Sequence, residues 1–341
     1  MTTTSSPAAV LTAARTLEVR QTSVPEPGPG EVLIRVTTVG LCGSDAHWYE
    51  EGRIGETGID GGLILGHEFS GVIESGPRSG QRVAVDPAVP CLVCRPCRTG
   101  RANLCLSIQF AGHGATDGAL RTHMVWPERC LVKLSDAISS EQGALLEPLG
   151  IALHAIDLAG PERAATVGVF GCGPIGLLLV SVLKSMGSEE IIVTDRLPHR
   201  LEAARRLGAT QTLLATEDES EREGLLEMAG DGLDQTFETA GSDAAIHSAM
   251  TAARPGTKVV LVGIPTEDRT SFIASLARRK ELGFVLSRRM LARDLTRAAD
   301  IFETLDLTGV ITHRYPLDRV DEAFQALSDR RGLKVVVTPA P

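Results

Sequence analysis

The chain has 341 residues, a net charge of −9, and 43% hydrophobic against 23% charged residues. That length predicts two domains, each able to bury a core, and the negative balance argues against nucleic acid or an anionic membrane as the main partner. The polar opening at residues 1–9 has no basic lead into an apolar run, so no signal peptide is expected, and the longest apolar stretch, 175–183, is too short to span a bilayer.

Residues 1–150 read as short strands between turns. The run VLIRVTTV (32–39) alternates after the breaker segment PEPGPG (25–30), and further short runs lie at 71–74, 82–85 and 130–134. These predict an irregular β-rich domain. From about residue 165 the texture changes. Strand-like TVGVFGC (166–172) leads into a helical run (174–186), a strand EIIVTD (190–195), a helix (198–207) and strands at 211–214 and 234–238. A helix at 243–253 and strands at 258–263 and 282–286 follow. Strands alternating with helices predict an α/β unit with a doubly wound parallel sheet. Beyond Ser287 come helices near 295–305 and 320–329, and a strand at 334–339 expected to return to the first domain. The expected division is 1–150 joined by 289–341, with 151–288 as the second domain.

Within the β-rich part, Cys91, Cys94, Cys97 and Cys105 form a C-x2-C-x2-C-x7-C run, four of the seven cysteines in fifteen residues. Two-residue spacers let one loop fold back and present four thiolates to a tetrahedral zinc, at about 2.3 Å each. An iron–sulfur cluster uses the same donors. Two disulfides are the other reading, but they suit small secreted domains. A closed four-thiolate zinc leaves no position for substrate, so this site is expected to brace a loop. Free thiols and a thiolate site both suit a reducing cytoplasm.

GCGPIG at 171–176 matches G-x-G-x-x-G directly after a strand and at the start of a helix. Gly171 permits the tight turn, Gly173 lets the backbone approach a pyrophosphate, and Gly176 lets the helix lie close on the sheet. The helix N-terminus offers free N–H groups to the phosphates. Asp195 closes the next strand, where a carboxylate accepts hydrogen bonds from the adenosine ribose and repels a 2′-phosphate, favouring NAD over NADP. Arg196 and Arg200 stand nearby as residues able to neutralise such a phosphate.

Three further segments carry metal-type side chains: Cys42 in LCGSDAHW, His67 and Glu68 in LGHEFSG, and Glu147 in LEPLG. A mixed thiolate, imidazole and carboxylate set with an open fourth position is what a catalytic zinc uses. Each residue alone has another reading: Cys42 as a small buried hydrophobe, His67 as a core histidine, Glu147 as a helix-end charge. The histidines His123, His199, His247 and His313 lack such company and are expected to be structural or solvated.

Taken together, CGSDAHWYEEGRIG (42–55), LGHEFSGVI (65–73), the cysteine run, EPLGIALHA (147–155), GCGPIGLLL, FETAG (237–241), RKEL (279–282) and THRYPL (312–317) resemble, in order, the zinc-dependent medium-chain dehydrogenases, and within them the sorbitol or polyol branch. The resemblance covers nearly the whole chain. It implies a GroES-like β-rich catalytic domain plus a Rossmann domain, with the active site in the cleft between them. It also implies two zinc ions per chain, NAD as cofactor, a polyol or related secondary alcohol as substrate, and a homo-oligomer, either tetramer or dimer.

Residue by residue, the resemblance makes Cys42, His67 and Glu68 ligands of the catalytic zinc, with water completing the shell. Glu147 matches a carboxylate beside that water, which in related branches ligates the metal itself. Ser44 and His47 match positions that move the hydroxyl proton toward solvent as the hydride passes to the nicotinamide. Trp48 and Phe110 match aromatic pocket residues, and Arg289 an arginine contacting substrate. Ile175, Asp195, Arg200, Val262, Gly263, Ile264, Ser287 and Arg289 align with NAD-contacting positions. The chain departs from the branch at Arg288-Arg289-Met290, where Phe-Arg-Tyr is usual, and at His113, where a small hydroxyl residue is usual. Both changes fall at the expected pocket and put sorbitol itself in doubt. Within the class, a threonine dehydrogenase-like or cyclitol dehydrogenase shares most of these motifs. A non-catalytic nucleotide-binding relative would be marked by loss of a zinc ligand, and Cys42, His67, Glu68 and Glu147 are all present.

Overall fold

The computed structural model describes residues 5–54, 57–59, 61–160, 164–265, 267 and 269–340. The chain divides into two compact units. One comprises Met1–Glu147, Met290–Glu303 and Ile311–Pro341; the other comprises Pro148–Arg289 and Thr304–Val310.

The first unit is built on a seven-stranded mixed sheet. Its strands run in the order Leu131–Lys133, Arg82–Val85, Glu68–Ile73, Glu31–Gly40, Lys334–Thr338 and Ile311–Pro316, and His123–Pro127 also pairs with Glu31–Gly40. The strand Glu31–Gly40 explains the arrangement. Val32, Ile34 and Val36 are buried at alternate positions, as one covered sheet face requires. A register shift lies between Val36 and Thr38, and beyond it Val39 and Gly40 face Val337 and Val336 of the late strand. Such a bulge bends a strand and lets it change partner. Glu68 stands opposite Gly40 in the same ladder. A separate sheet joins Ser5–Ala13, Thr16–Ser23 and Leu63–Ile64.

The second unit is a six-stranded parallel sheet in the order Gln211–Leu214, Glu190–Asp195, Thr166–Phe170, Gln235–Glu238, Lys258–Leu261, Gly283–Leu286. Numbered along the chain this is 3-2-1-4-5-6, the doubly wound dinucleotide order. Thr166–Phe170 sits at the switch point, and its Val167, Val169 and Phe170 are fully buried, as expected for a strand covered on both faces. The helix Pro174–Met186 follows, started by a proline in its first turn and stopped by left-handed Gly187. Its residues 176–183 are all buried, which is why its sequence is apolar all round.

The first strand ends at Phe170 rather than at residue 172, because Gly171 (φ 110°) already turns the chain. The helix expected near 295–305 starts earlier, at Ala292, where the Asp294 carboxylate accepts the Leu291 N–H at 2.9 Å. No helix among the described residues is long and apolar enough to cross a membrane.

Candidate active site

Cys42 precedes the helix Gly43–Glu51, and Glu68 opens the strand Glu68–Ile73 immediately after His67. Each of Cys42, His67 and Glu68 offers a donor atom, and the three atoms lie within 4.8 Å of one another. One fully buried side chain organises Cys42 and His67. Asp45 accepts the Cys42 N–H at 2.9 Å and the Gly66 N–H at 3.3 Å, and its Oδ1 lies 3.5 Å from His67 Nδ1. Burial pushes the Asp45 carboxyl up, but His67 and the Cys42 N–H outweigh it and hold it below the ordinary range. Burial likewise pushes the His67 imidazole down, yet Asp45 wins and raises it well above its usual value. With Nδ1 against Asp45, the nitrogen left for a metal is Nε2, the carboxylate–histidine arrangement that orients a metal ligand. A thiol, an imidazole and a carboxylate so gathered fit a zinc ion.

Behind Glu68 stands a cation with no counterpart in the sequence reading. Lys334, 1% exposed, is ion-paired through Nζ with Glu68 Oε2 and donates to the Leu41 carbonyl at 2.9 Å. The pair leaves no room across the ladder: a Cβ at Gly40 would lie 2.9 Å from Lys334 Cε and closer still to the Glu68 carboxylate. Glu147, in the first turn of the helix Leu146–Ala159, is buried but outside the three-donor set. Burial pushes its carboxyl up to about 8, opposed by the charges of His67 and Lys334 and reinforced by Glu68.

Aromatic rings gather next to this set. His67 and Phe110 have ring centroids 5.4 Å apart, and Trp48 meets His113 edge-on at 5.4 Å. Trp48 is buried, His113 half-buried. Ser44 and His47 are half-buried on the helix Gly43–Glu51, with His47 Nδ1 3.8 Å from the Glu51 carboxylate. Met290 is buried in the first unit, whereas Arg288 is exposed and Arg289 takes a left-handed backbone (φ 56°) at the end of the second.

In the cysteine loop the four sulfurs also lie within 4.8 Å of one another, Cys94 Sγ being 3.4 Å from Cys97 Sγ and 3.9 Å from Cys105 Sγ. A tetrahedral ion with bonds of about 2.3 Å sets its thiolates about 3.8 Å apart. An iron–sulfur cluster, with iron and sulfide between the thiolates, needs them farther apart. All seven cysteines are free, which removes the disulfide reading. Backbone N–H groups point at the sulfurs: Cys91 and Ser107 donate to Cys105 at 3.2 and 3.4 Å, and Cys94 to Cys91 at 3.4 Å. Similar bonds from Cys97 and Leu106 hold the Cys94 thiol down at about 6. The N–H groups of Val93 and Cys94 lower the Cys91 thiol likewise, whereas burial and the Cys94 and Cys105 side chains push Cys97 up to about 12, so the N–H groups favour thiolates at Cys91 and Cys94.

In the second unit, a Cβ at Gly176 would lie 2.0 Å from the Gly171 carbonyl oxygen, so the helix packs directly on the turn. At Gly173 a Cβ would meet nothing nearer than Arg200 Nη1 at 4.0 Å. That open space above the helix start is the kind of cradle a pyrophosphate enters. Asp195 accepts the Cys172 N–H at 2.7 Å and the Leu197 N–H at 2.8 Å, and Arg200 Nη1 stands 4.0 Å from it. Arg196 is exposed and 3.6 Å from Glu217. Ile175 lies in the first turn of the helix, and Val262, Gly263 and Ile264 follow the strand Lys258–Leu261, Ile264 being exposed. Ser287 Oγ is buried and has no hydrogen-bond partner among the described residues, a polar atom left over for a ligand. These features fit a dinucleotide.

Comparison with known proteins agrees with this geometry. Residues 28–136 match the alcohol dehydrogenase GroES-like domain, and residues 174–308 match the zinc-binding dehydrogenase model. The chain is 33% identical to a sorbitol dehydrogenase of Bacillus subtilis over 97% of each chain. It is 34% identical to a probable D-xylulose reductase A of Aspergillus fumigatus over 91% of this chain and 89% of that one. An alcohol dehydrogenase of Escherichia coli solved with NADH superposes with a TM-score of 0.88 at 29% identity, covering 98% of this chain and 99% of that one. With a GroES-like domain, a doubly wound sheet and full-length relatives above 30% identity, the chain belongs to the zinc-dependent medium-chain dehydrogenases, in their polyol branch.

Proposed function

We propose that the chain oxidises a secondary alcohol of a polyol or related sugar alcohol, with NAD as acceptor and two zinc ions per chain. The observation that carries this reading is the convergence of the Cys42, His67 and Glu68 donor atoms in the first unit, together with the dinucleotide cradle within the second. The bound metal supplies Lewis acidity to a substrate hydroxyl, and the dinucleotide supplies the hydride acceptor. Cys42, His67 and Glu68 hold the catalytic ion, and Cys91, Cys94, Cys97 and Cys105 hold the structural one. Asp45 keeps the His67 ring oriented. Glu147, a buried carboxyl that feels the charges of His67 and Glu68, suits a group that exchanges a proton with the substrate hydroxyl. Ser44 and His47 carry the proton on toward solvent. Trp48, Phe110, His113 and Met290 line the pocket.

For the cofactor, Gly171, Gly173, Ile175 and Gly176 receive the pyrophosphate, Asp195 and Arg200 the adenosine ribose, and Val262, Gly263, Ile264, Ser287 and Arg289 the remainder. The first unit is the catalytic domain and the second the NAD-binding domain. The strand Gly283–Leu286 lies at the edge of its sheet, with Leu286 73% and nearby Phe272 48% exposed. An uncovered apolar edge favours pairing with a second copy, so we take the chain as a homo-oligomer, a dimer or tetramer. Two donor sets containing thiols, and no disulfide among the described residues, suit a cytoplasmic setting.

The test is NAD reduction by the purified protein against a panel of polyols, sugars, cyclitols and amino alcohols. Turnover of polyols supports the reading, turnover of threonine or cyclitols alone redirects the substrate, and no turnover with any alcohol overturns it. Zinc content of Glu68→Gln and Glu147→Gln separates the two glutamates. Glu68→Gln should weaken zinc binding, while Glu147→Gln should keep more metal yet lose turnover by about 10–100-fold. Reversal of that pattern would make Glu147 the ligand.

A further inference from the structure

One buried carboxylate, Glu238 of the FETAG segment (237–241), has no role in the site described so far. Glu238 ends the strand Gln235–Glu238 and is 1% exposed. Its Oε1 accepts the Ala240 N–H at 2.8 Å and the Gly241 N–H at 2.6 Å, so it ties up the turn that follows its own strand. Its backbone carbonyl accepts the Val262 N–H at 2.8 Å and the Gly263 N–H at 3.1 Å, from the turn after the neighbouring strand. The two turns press together backbone to backbone. A Cβ at Gly263 would lie 2.2 Å from Gly241 N and 2.8 Å from Glu238 Oε2, and a Cβ at left-handed Gly241 would lie 2.3 Å from the Ile264 carbonyl oxygen. No side chain fits between these turns except the Glu238 carboxylate.

The sheet order says which half of a dinucleotide meets these turns. A doubly wound sheet is two mononucleotide-binding halves about the switch point. The half carrying Gly171 and Asp195 takes the adenosine end, and the half with strands Gln235–Glu238 and Lys258–Leu261 takes the other nucleotide. We infer that Glu238 is a positioning residue for the nicotinamide half of the cofactor, clamping the 239–241 turn against the 262–264 turn so that their backbone presents a fixed surface to that half alone. Burial raises the Glu238 pKa, while the N–H groups of Gly241, Ala240, Ser242 and Gly263 oppose that shift. Every neighbour so named is a donor, so the side chain acts as an acceptor only. A glutamine would turn an N–H toward an N–H, and an alanine would leave the donors unmatched.

The inference rests on the reading of this unit as NAD-binding, and the experiment keeps the two apart. Affinities for NADH and for ADP, which lacks both the nicotinamide and its ribose, are measured by calorimetry on the full chain and on Glu238→Gln. The variant should bind NADH about tenfold weaker, because the loosened turns must be ordered on binding, and ADP within about twofold of the parent. If both ligands weaken in parallel, or neither changes, Glu238 is only a structural support and the inference fails. Should Glu238→Gln not fold, Glu238→Asp keeps the charge but draws the carboxylate back from the Ala240 and Gly241 N–H groups, and must give the same NADH-selective loss. A parent protein that binds neither NADH nor ADP would refute the cofactor reading itself.

Discussion

Replacing Lys334 by methionine keeps most of the side chain's volume and removes its charge. The side chain is buried, paired with the equally buried Glu68 and bonded to the Leu41 carbonyl at 2.9 Å. Metal-free protein carrying Lys334→Met would therefore hold a buried carboxylate with its cation gone. Breaking a buried ion pair from one side costs about 3–5 kcal/mol, a large part of the roughly 5–15 kcal/mol that holds a domain together. With zinc bound, the ion itself offsets the Glu68 charge, so the loss should shrink. The assay is urea unfolding of parent and variant, each stripped of metal and then loaded with zinc. The expected signature is a large loss in the stripped protein and a markedly smaller one in the loaded protein. A double-mutant cycle with Glu68→Gln should recover most of the deficit, because the stranded charge is gone. A stripped variant within about 1 kcal/mol of the parent would refute the reasoning, since an exposed pair is worth no more than that.

Metal analysis should find two zinc ions per chain, one of them lost in Cys97→Ser; mild chelation should empty the Cys42, His67 and Glu68 site first, because the closed thiolate site exchanges only when its loop opens. Steady-state kcat/KM should favour NAD over NADP, and Asp195→Ala should narrow the gap; equal use of both cofactors by the parent would mean that Arg196 or Arg200 governs the site. Asp86 is buried, and burial raises its carboxyl from 3.8 to about 6 against the Ala88 N–H. Between those values the folded protein holds a proton that the unfolded chain has released, so stability falls as pH rises through that window, by on the order of 3 kcal/mol. Asp86→Asn should erase that fall, read as urea midpoints at pH values below and above the window; identical pH profiles for variant and parent would contradict it.

What was legible in the sequence was local. The cysteine run folds within its own loop, and the helix Pro174–Met186 carries its start, its stop and its apolar face in adjacent residues. The helix Glu219–Ala229 escaped notice because Glu221 and Leu225 are the residues it buries, so ESEREGLLEMA has no apolar stripe; what starts it is Asp218, whose carboxylate accepts the Ser220 and Glu221 N–H groups. The strands Ser5–Ala13 and Thr16–Ser23 were missed because their pattern does not alternate cleanly: the first is buried at most positions and the second largely exposed. Around the metal set, Cys42, His67 and Glu68 announce themselves by residue type. Asp45 and Lys334 do not. An aspartate three residues after a cysteine looks like an ordinary helix-start charge, and a lysine opening the run KVVVT looks like a solvated strand end. Their roles follow from burial and from partners as far off as Glu68 is from Lys334, which pattern reading along a chain does not reach.

The late strand Lys334–Thr338 lies in the interior of the first unit's sheet, between Glu31–Gly40 and Ile311–Pro316. During synthesis the ribosome delivers the N-terminal strands first, and their central neighbour hundreds of residues later. The intervening parallel unit is continuous from Pro148 to Arg289 apart from a short return at Thr304–Val310. Domains generally form as they emerge, so the middle of this chain is free to fold while the first sheet waits with a gap in it. Closing that gap demands contacts of very long sequence separation, the slow kind. The same event delivers the ammonium that neutralises Glu68. Nascent chains halted before residue 334 would thus carry an unpartnered carboxylate beside a thiol and an imidazole, a state suited to capturing a metal ion before the sheet is sealed.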